Sequence, residues 1–280
     1  MVQQNHMNQT SVSVVIPAFN AQSTIKRALQ SVANQSLMAT EVIVIDDAST
    51  DDTIAIVREF STTSEMVIRI MHSEQNAGPG SARNRGWDNS TGEFIAFLDA
   101  DDVWHPQKLE IQVREMRRNG SFVMSCHERI VSTSHIFPSI DETKVLTREL
   151  SLNDFIIKNR CSTPTVMVQK SINERYKSNK RHAEDYLLWM EIIANHGNAL
   201  FIHSPLTSCT NSIYGGSGLS GSFKAMQKGE FDAFQTLRRT GQISLFKFSA
   251  AVFWSSIKFL IRIADHYIFR GLRQTVSESR

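Results

Sequence analysis

The chain is poor in the features that mark several common protein classes. It has only three cysteines in 280 residues, Cys126, Cys161 and Cys209. They are far apart, odd in number and without metal-knuckle spacing, so they read as reduced thiols packed in the core of a cytoplasmic protein. Neither sign of charge is in excess. Thirty Lys and Arg against 28 Asp and Glu leave +2, with no basic stripe in the first 240 residues, which argues against a nucleic-acid partner. No run of about 18 uncharged apolar residues occurs, so an ordinary membrane span is not expected. The opening MVQQNHMNQT is polar and has no apolar h-region, so a signal peptide is not expected either, and Met7 stands as an alternative start. There are no repeats and no low-complexity linker. What is present is an ordinary apolar share, 41%, enough for one large domain or for one domain with a tail.

The first hundred residues alternate strand and helix patterns. Val12–Ile16, Val42–Ile45 and Phe94–Leu98 are short apolar runs that read as buried strands, and Val67–Met71 reads as a further strand between the last two. Between the first two, Ile25, Leu29 and Val32 share a helical face. Ser49 or Thr50 is placed to cap a second helix carrying Ile54 and Val57. Gly78 to Asn89 reads as a loop that becomes helical. Strands separated by single helices imply a parallel sheet of βαβ units, and ligands in such sheets bind at the carboxyl ends of the strands. Three polar sites lie at such ends: Pro17 to Asn20, Asp46-Asp47, and Asp99-Ala100-Asp101-Asp102.

Beyond Pro106, Leu109, Val113 and Met116 mark another helix, and Phe122–Ser125 a strand. Residues 126–165 carry weak periodicity. Thr165–Val168 and Ala199–His203 read as strands, and Glu184–Asn195 as a helix with Asp185 near its start. Tyr214 to Ser222 is rich in Gly and Ser and suits a loop that closes over substrate or lies on the surface. From Ser244 onward, polar residues recur at helical spacing among aromatic and aliphatic ones. They include Lys247, Lys258, Arg262, Arg270 and Arg273 and describe a basic amphipathic helix. Such a tail packs on its own domain, dimerises, or lies on an anionic membrane surface; no stretch in it is long enough to span. The domain reading is a disordered 1–10, a catalytic 11–240 and a helical tail 241–280.

Several segments, in order, resemble family 2 glycosyltransferases: Val14-Val15-Ile16-Pro17-Ala18-Phe19-Asn20, then Val44-Ile45-Asp46-Asp47 through Thr53, then Asn76 to Gly86 with Gly78-Pro79-Gly80-Ser81-Ala82-Arg83. Phe97-Leu98-Asp99-Ala100-Asp101-Asp102 follows, with Trp104, Pro106 and Lys108-Leu109, and then Ala183-Glu184-Asp185-Tyr186. The resemblance implies a GT-A fold, an αβα sandwich with a central mixed, mainly parallel sheet. It also implies transfer of a sugar from a nucleotide-diphosphate donor, UDP-sugar favoured, with inversion at the anomeric carbon. A glycan or polyprenyl-linked acceptor is expected, in bacterial surface polysaccharide synthesis at the cytoplasmic face of the inner membrane.

The roles follow residue by residue. Two substrate phosphates would be repelled by bare carboxylates, so Mn²⁺ or Mg²⁺ is expected between them, with Asp101 as its direct ligand. Asp99 is placed on the nucleotide side, and Asp102 is left open. Asp47 would accept a hydrogen bond from the nucleobase. Pro17 and Phe19 lie along the nucleotide, Phe19 standing where tyrosine is more usual and keeping the stacking surface but not the hydroxyl. Arg83 faces the nucleotide or braces the acidic cluster. Asp185 is the general base that inversion requires, with Glu184 supporting it or contacting the acceptor; acidic residues also favour a helix's first turn for its dipole alone. The family's arginine-histidine pattern near residue 214 is absent. Two other functions compete: a nucleotidyltransferase, which would need a glycine-rich basic signature after the first strand, and a non-catalytic nucleotide-sugar-binding scaffold, against which the full set of carboxylates argues.

Overall fold

The computed structural model describes residues 10–141, 144–178, 180, 182–210 and 222–277. The elements run β1 (Val12–Ala18), α1 (Ile25–Ala33), β2 (Glu41–Asp46), α2 (Thr53–Thr63), β3 (Ile68–His72), α3 (Pro79–Asp88) and β4 (Phe94–Phe97). Then come β5 (Val103–Trp104), α4 (Lys108–Asn119), β6 (Met124–Val131), β7 (Thr147–Leu150) and α5 (Leu152–Ile157). After a single 3₁₀ turn at Thr163–Thr165 follow β8 (Met167–Gln169), α6 (Glu184–His196), β9 (Ala199–Cys209), α7 (Phe223–Arg239) and α8 (Leu245–Ser277).

The strands form one mixed sheet in the order β3-β2-β1-β4-β8-β6-β9-β5, with β7 pairing β9. β3, β2, β1 and β4 are parallel, as the alternating pattern requires, and β8 enters antiparallel between β4 and β6. Alternation along β1 divides the core. Val12, Val14 and Ile16 join Ile25, Leu29, Val57, Leu109 and Met116 on one face. Val15 joins Trp87, Phe97, Trp189 and Phe234 on the other. Helices therefore cover both faces, and the αβα sandwich is observed. α3 lies so close to β1 that a Cβ on Gly86 would sit 2.4 Å from Val15 Cγ1, so no larger residue fits there unless the packing shifts.

Several sequence expectations need correction. Cys126 and Cys161 are not free thiols but a disulfide joining β6 to the segment before the 3₁₀ turn, with Cα atoms 5.7 Å apart. The fold brings the two together across 35 residues, and only Cys209 is free. Neither Ser49 nor Thr50 caps α2: Ser49 Oγ accepts from the Asn20 amide, while Asp52 is the cap residue and Asp51 accepts from the Thr53 amide. α7 is a 17-residue helix that the pattern did not reveal. Residues 1–9 and 211–221, where disorder and a closing loop were expected, lie outside the described residues apart from Ser222, which caps α7. Among the described residues no helix is long and apolar enough to cross a membrane.

Candidate active site

The carboxyl ends of β1, β2 and β4 form the floor of the site. At the end of β2, Asp46 is fully buried, accepts from the Ser49 amide at 3.1 Å and lies 2.6 Å from His72 Nδ1, so it is structural. Asp47 is fixed more tightly than its sequence position suggested. Its amide donates to the Ala18 carbonyl. Its two carboxylate oxygens accept the amides of Ala77 and Gly78 at 3.0 and 2.8 Å. The carboxylate thereby pins the loop before α3, and each oxygen keeps a second lone pair for a ligand donor. Pro17 pairs with Ile45 one residue before the end of β1, and Phe19, directly after the strand, presents half of its surface to solvent.

Arg83 joins the acidic cluster after β4 to the start of α6. It is buried on α3, and its Nη2 donates to Asp99 Oδ1 at 2.6 Å. Its guanidinium lies 5.4 Å from the centroid of the Tyr176 ring. Burial alone would lower its proton affinity, but Asp99, Tyr176 and Glu184 more than offset this and keep it charged. Tyr176 is itself positioned from α3: Asn84 donates to its carbonyl at 2.7 Å and accepts from its amide at 2.9 Å.

The acidic cluster after β4 is held from three directions. The Asp101 carbonyl accepts from Arg27 Nη2 on α1 at 3.3 Å and from Thr210 Oγ1 at 2.9 Å. Asp102 is buried and accepts from the Cys209 thiol at 3.3 Å. Burial, then the neighbouring Asp99 and Asp101, push its carboxyl well above the usual range. Asp99 and Asp101 keep partial access to solvent. Lys108 from the same motif is fully buried, with Nζ 3.7 Å from the centroid of the Trp104 ring.

α6 begins opposite this cluster. Ala183 takes a left-handed conformation, φ 54°, immediately before Glu184 and Asp185. Asp185 Oδ1 accepts the Tyr186 amide at 2.7 Å. Burial raises its proton affinity; the Tyr186 amide and Arg83 pull it down, and Asp99 adds to the rise. Glu184 is pushed up to about 7, by burial first and by Asp185 next. α7 supports this turn from behind. A Cβ on Gly229 would lie 2.6 Å from the His182 carbonyl, and Lys180 Nζ bonds the Gly229 carbonyl and Asp232.

The structure thus brings Arg83, Asp99, Glu184 and Asp185 into one electrostatic unit, with Asp101 and Asp102 on the same loop as Asp99. Sequence reading missed Arg27, Asn84's clamp on Tyr176, Cys209 and Thr210. Arg27 carried no signal beyond a polar position on a helix, and Cys209 and Thr210 only their place at the end of a strand. Among the described residues no three His, Cys, Asp or Glu side chains form a cage for a metal ion. Two accessible carboxylates beside a crowded third instead suit a hard divalent cation that would complete its shell with oxygen atoms from a ligand, because oxygen donors are present and negative charge is in excess.

Residues 13–177 match the model of glycosyl transferase family 2. The chain belongs to that family. The enzyme is 32% identical over 212 residues to the Escherichia coli UDP-Glc:alpha-D-GlcNAc-diphosphoundecaprenol beta-1,3-glucosyltransferase WfgD, covering 74% of this chain and 81% of WfgD. It is 29% identical over 184 residues to the teichuronic acid biosynthesis glycosyltransferase TuaG, described as putative, of Bacillus subtilis, covering 65% and 71%. The fold is shared with Staphylococcus aureus TarS 1–349 crystallised with UDP-GlcNAc, at TM-score 0.67 and 22% identity over 82% of this chain and 67% of that one. It is also shared with the Pyrobaculum calidifontis mannosyltransferase PcManGT in complex with GDP-Man and Mn²⁺, at TM-score 0.64 and 16% identity over 95% and 80%. This family 2 enzyme is a nucleotide-sugar glycosyltransferase.

Proposed function

We propose that the enzyme moves a sugar from a UDP-sugar to a hydroxyl of a glycan or polyprenyl-linked acceptor, with inversion, in the assembly of a bacterial surface polysaccharide at the cytoplasmic face of a membrane. The observation that carries this reading is the buried Arg83. It bonds Asp99 on the donor side and holds Glu184 and Asp185 in its field on the acceptor side. The name of WfgD supports a UDP-sugar donor and a lipid-diphosphate acceptor, and TuaG supports a surface polymer.

In this reading the nucleobase stacks on Phe19, and Asp47 offers its free lone pairs to a base N–H while Ala77 and Gly78 keep its plane fixed. Pro17 shapes the floor beside them. Asp101 would hold Mn²⁺ or Mg²⁺, with Asp99 on the nucleotide side and Asp102 held back by Cys209. A bound cation supplies Lewis-acid neutralisation of the diphosphate. Asp185 takes the proton from the acceptor hydroxyl as that oxygen forms its bond to the anomeric carbon. The bond from that carbon to the diphosphate oxygen breaks on the opposite face, and the nucleoside diphosphate leaves with the electron pair. A proton affinity raised by burial suits a base that works near neutral pH. Glu184 supports the base or contacts the acceptor.

The test is incubation with a panel of UDP-sugars and a short polyprenyl-diphosphate sugar acceptor, followed by NMR of the product's anomeric proton. Nucleoside-diphosphate release with an inverted linkage is expected. A retained linkage would overturn the single displacement, and absence of release with every donor would overturn the donor class.

A further inference from the structure

α8 is attached to the domain by its polar side. Ser255 is buried, accepts from Gln227 Nε2 at 3.0 Å and donates to Glu230 Oε2 at 2.5 Å. Lys258 and Arg262 both reach the same Glu230, at 3.5 and 3.4 Å. Two of the tail's basic residues are therefore turned inward, against the domain. The outward side is apolar: Phe246 is 82% exposed, Phe253 69% and Leu260 65%, with Ala250 and Ala264 exposed on the same stripe, at spacings of three, four and seven. The stripe runs about 27 Å at 1.5 Å per residue. A helix on a water-facing surface has the opposite arrangement. The stripe continues onto the end of α5, because Trp254 Nε1 donates to the Ile157 carbonyl and Ile157 is itself exposed. Its rim is basic. Lys158 and Arg160 follow Ile157 and are exposed, as is Lys247 on the first turn of α8. No Asp or Glu occurs between Asp232 and Asp265.

We propose that this stripe docks the enzyme on an anionic bilayer, with α8 lying in the headgroup plane and Lys158, Arg160 and Lys247 on the lipid phosphates. The rim chooses this occupant over a second copy, since a self-paired face with no carboxylate of its own would bring only like charge to the contact. The purpose rests on the polyprenyl-linked acceptor proposed above, whereas the contact stands on the helix itself. α7 links the two: it holds α8 through Glu230 and abuts the His182 carbonyl, two residues before Glu184. Docking therefore sets the height of Asp185 above the membrane.

The test is co-sedimentation of the full chain with phosphatidylglycerol-containing vesicles and with pure phosphatidylcholine vesicles, read together with tryptophan emission. Trp87, Trp104 and Trp189 are buried and Trp254 is not, so a blue shift on binding reports the stripe. Binding to the anionic vesicles with a blue shift is expected. Phe253→Glu should abolish it, and Lys158→Gln and Lys247→Gln should each weaken it about fivefold. Transfer to a water-soluble acceptor should be unchanged in these variants, so a failure of docking is distinguishable from a failure of the proposed activity. Recovery of the wild type in the supernatant with both vesicles, or undiminished binding by Phe253→Glu, would overturn the proposal. So would a dimer in solution that Phe253→Glu splits, since the stripe would then belong to a second copy.

Discussion

Replacing Glu184 by Gln should make the protein more stable and change how its activity depends on pH. The Glu184 carboxyl is raised from 4.5 to about 7, by burial and then by Asp185. The folded state therefore holds the proton more tightly than the unfolded chain does. From this group alone, stability is highest below about pH 4.5, falls as pH rises towards 7, and stays low above it. That displacement corresponds to about 3 kcal/mol, the cost of keeping the charge in place, and partial access to solvent makes it an upper bound. Gln keeps the shape and removes the charge. Urea unfolding at pH 8 should show Glu184→Gln more stable than wild type by about 2–3 kcal/mol, with most of the difference gone at pH 4.5. The same substitution removes a negative neighbour of Asp185. The inflection near pH 7 that Glu184's own ionisation places on the kcat/KM profile should disappear, while the acid limb set by Asp185 stays in place, because the charge of Asp185 is already present when Glu184 ionises. An equal difference at both pH values would show that packing rather than charge is responsible, and a variant less stable at pH 8 would refute the electrostatic unit itself.

Arg83→Leu removes the guanidinium from three carboxylates at once. Loss of about 3–5 kcal/mol by denaturant unfolding, with at least a hundredfold fall in kcat/KM for nucleoside-diphosphate release, is expected; near-normal turnover would show that the arginine is not central. Gly86→Ala places a methyl 2.4 Å from Val15 Cγ1, so urea titration should show a cost of about 1–3 kcal/mol, while the donor dissociation constant of the folded fraction changes little. Glu230→Gln withdraws the carboxylate shared by Lys258 and Arg262. The thermal midpoint should fall by an amount equivalent to about 1–2 kcal/mol, and limited proteolysis should cleave within α8 sooner than in wild type.

The half of the fold formed by β1 to β4 was legible because β1, β2 and β4 are buried on both faces and read as apolar runs, with carboxylates at or just after the ends of β2 and β4. Asp47, Asp99, Arg83 and Asp185 each stand where a strand end or helix start was expected. The other half hid for physical reasons. β5 has two residues and β7 four, too short for alternation to show. α7 buries Gln227 and Glu230 against a polar side of α8 and Gly229 against the His182 carbonyl, so its inward face does not look apolar. For the same reason the sequence left the direction of α8 open: the amphipathic pattern was visible, but not that Glu230, fifteen residues before the helix begins, would draw Lys258 and Arg262 inward. The Cys126–Cys161 bond depends on β6 passing the loop before β8, and spacing along the chain carries no trace of it.

The central claim is that one set of carboxylates serves donor binding and another serves proton transfer. It is tested most directly by measuring UDP-sugar binding, by calorimetry with and without Mn²⁺, alongside single-turnover transfer in wild type, Asp101→Asn and Asp185→Asn. The account predicts that donor affinity depends on the cation in wild type and loses that dependence in Asp101→Asn. It predicts that Asp185→Asn binds donor within a few-fold of wild type yet transfers at least a hundredfold more slowly. Cation-independent binding in wild type, or retained transfer in Asp185→Asn, would contradict it.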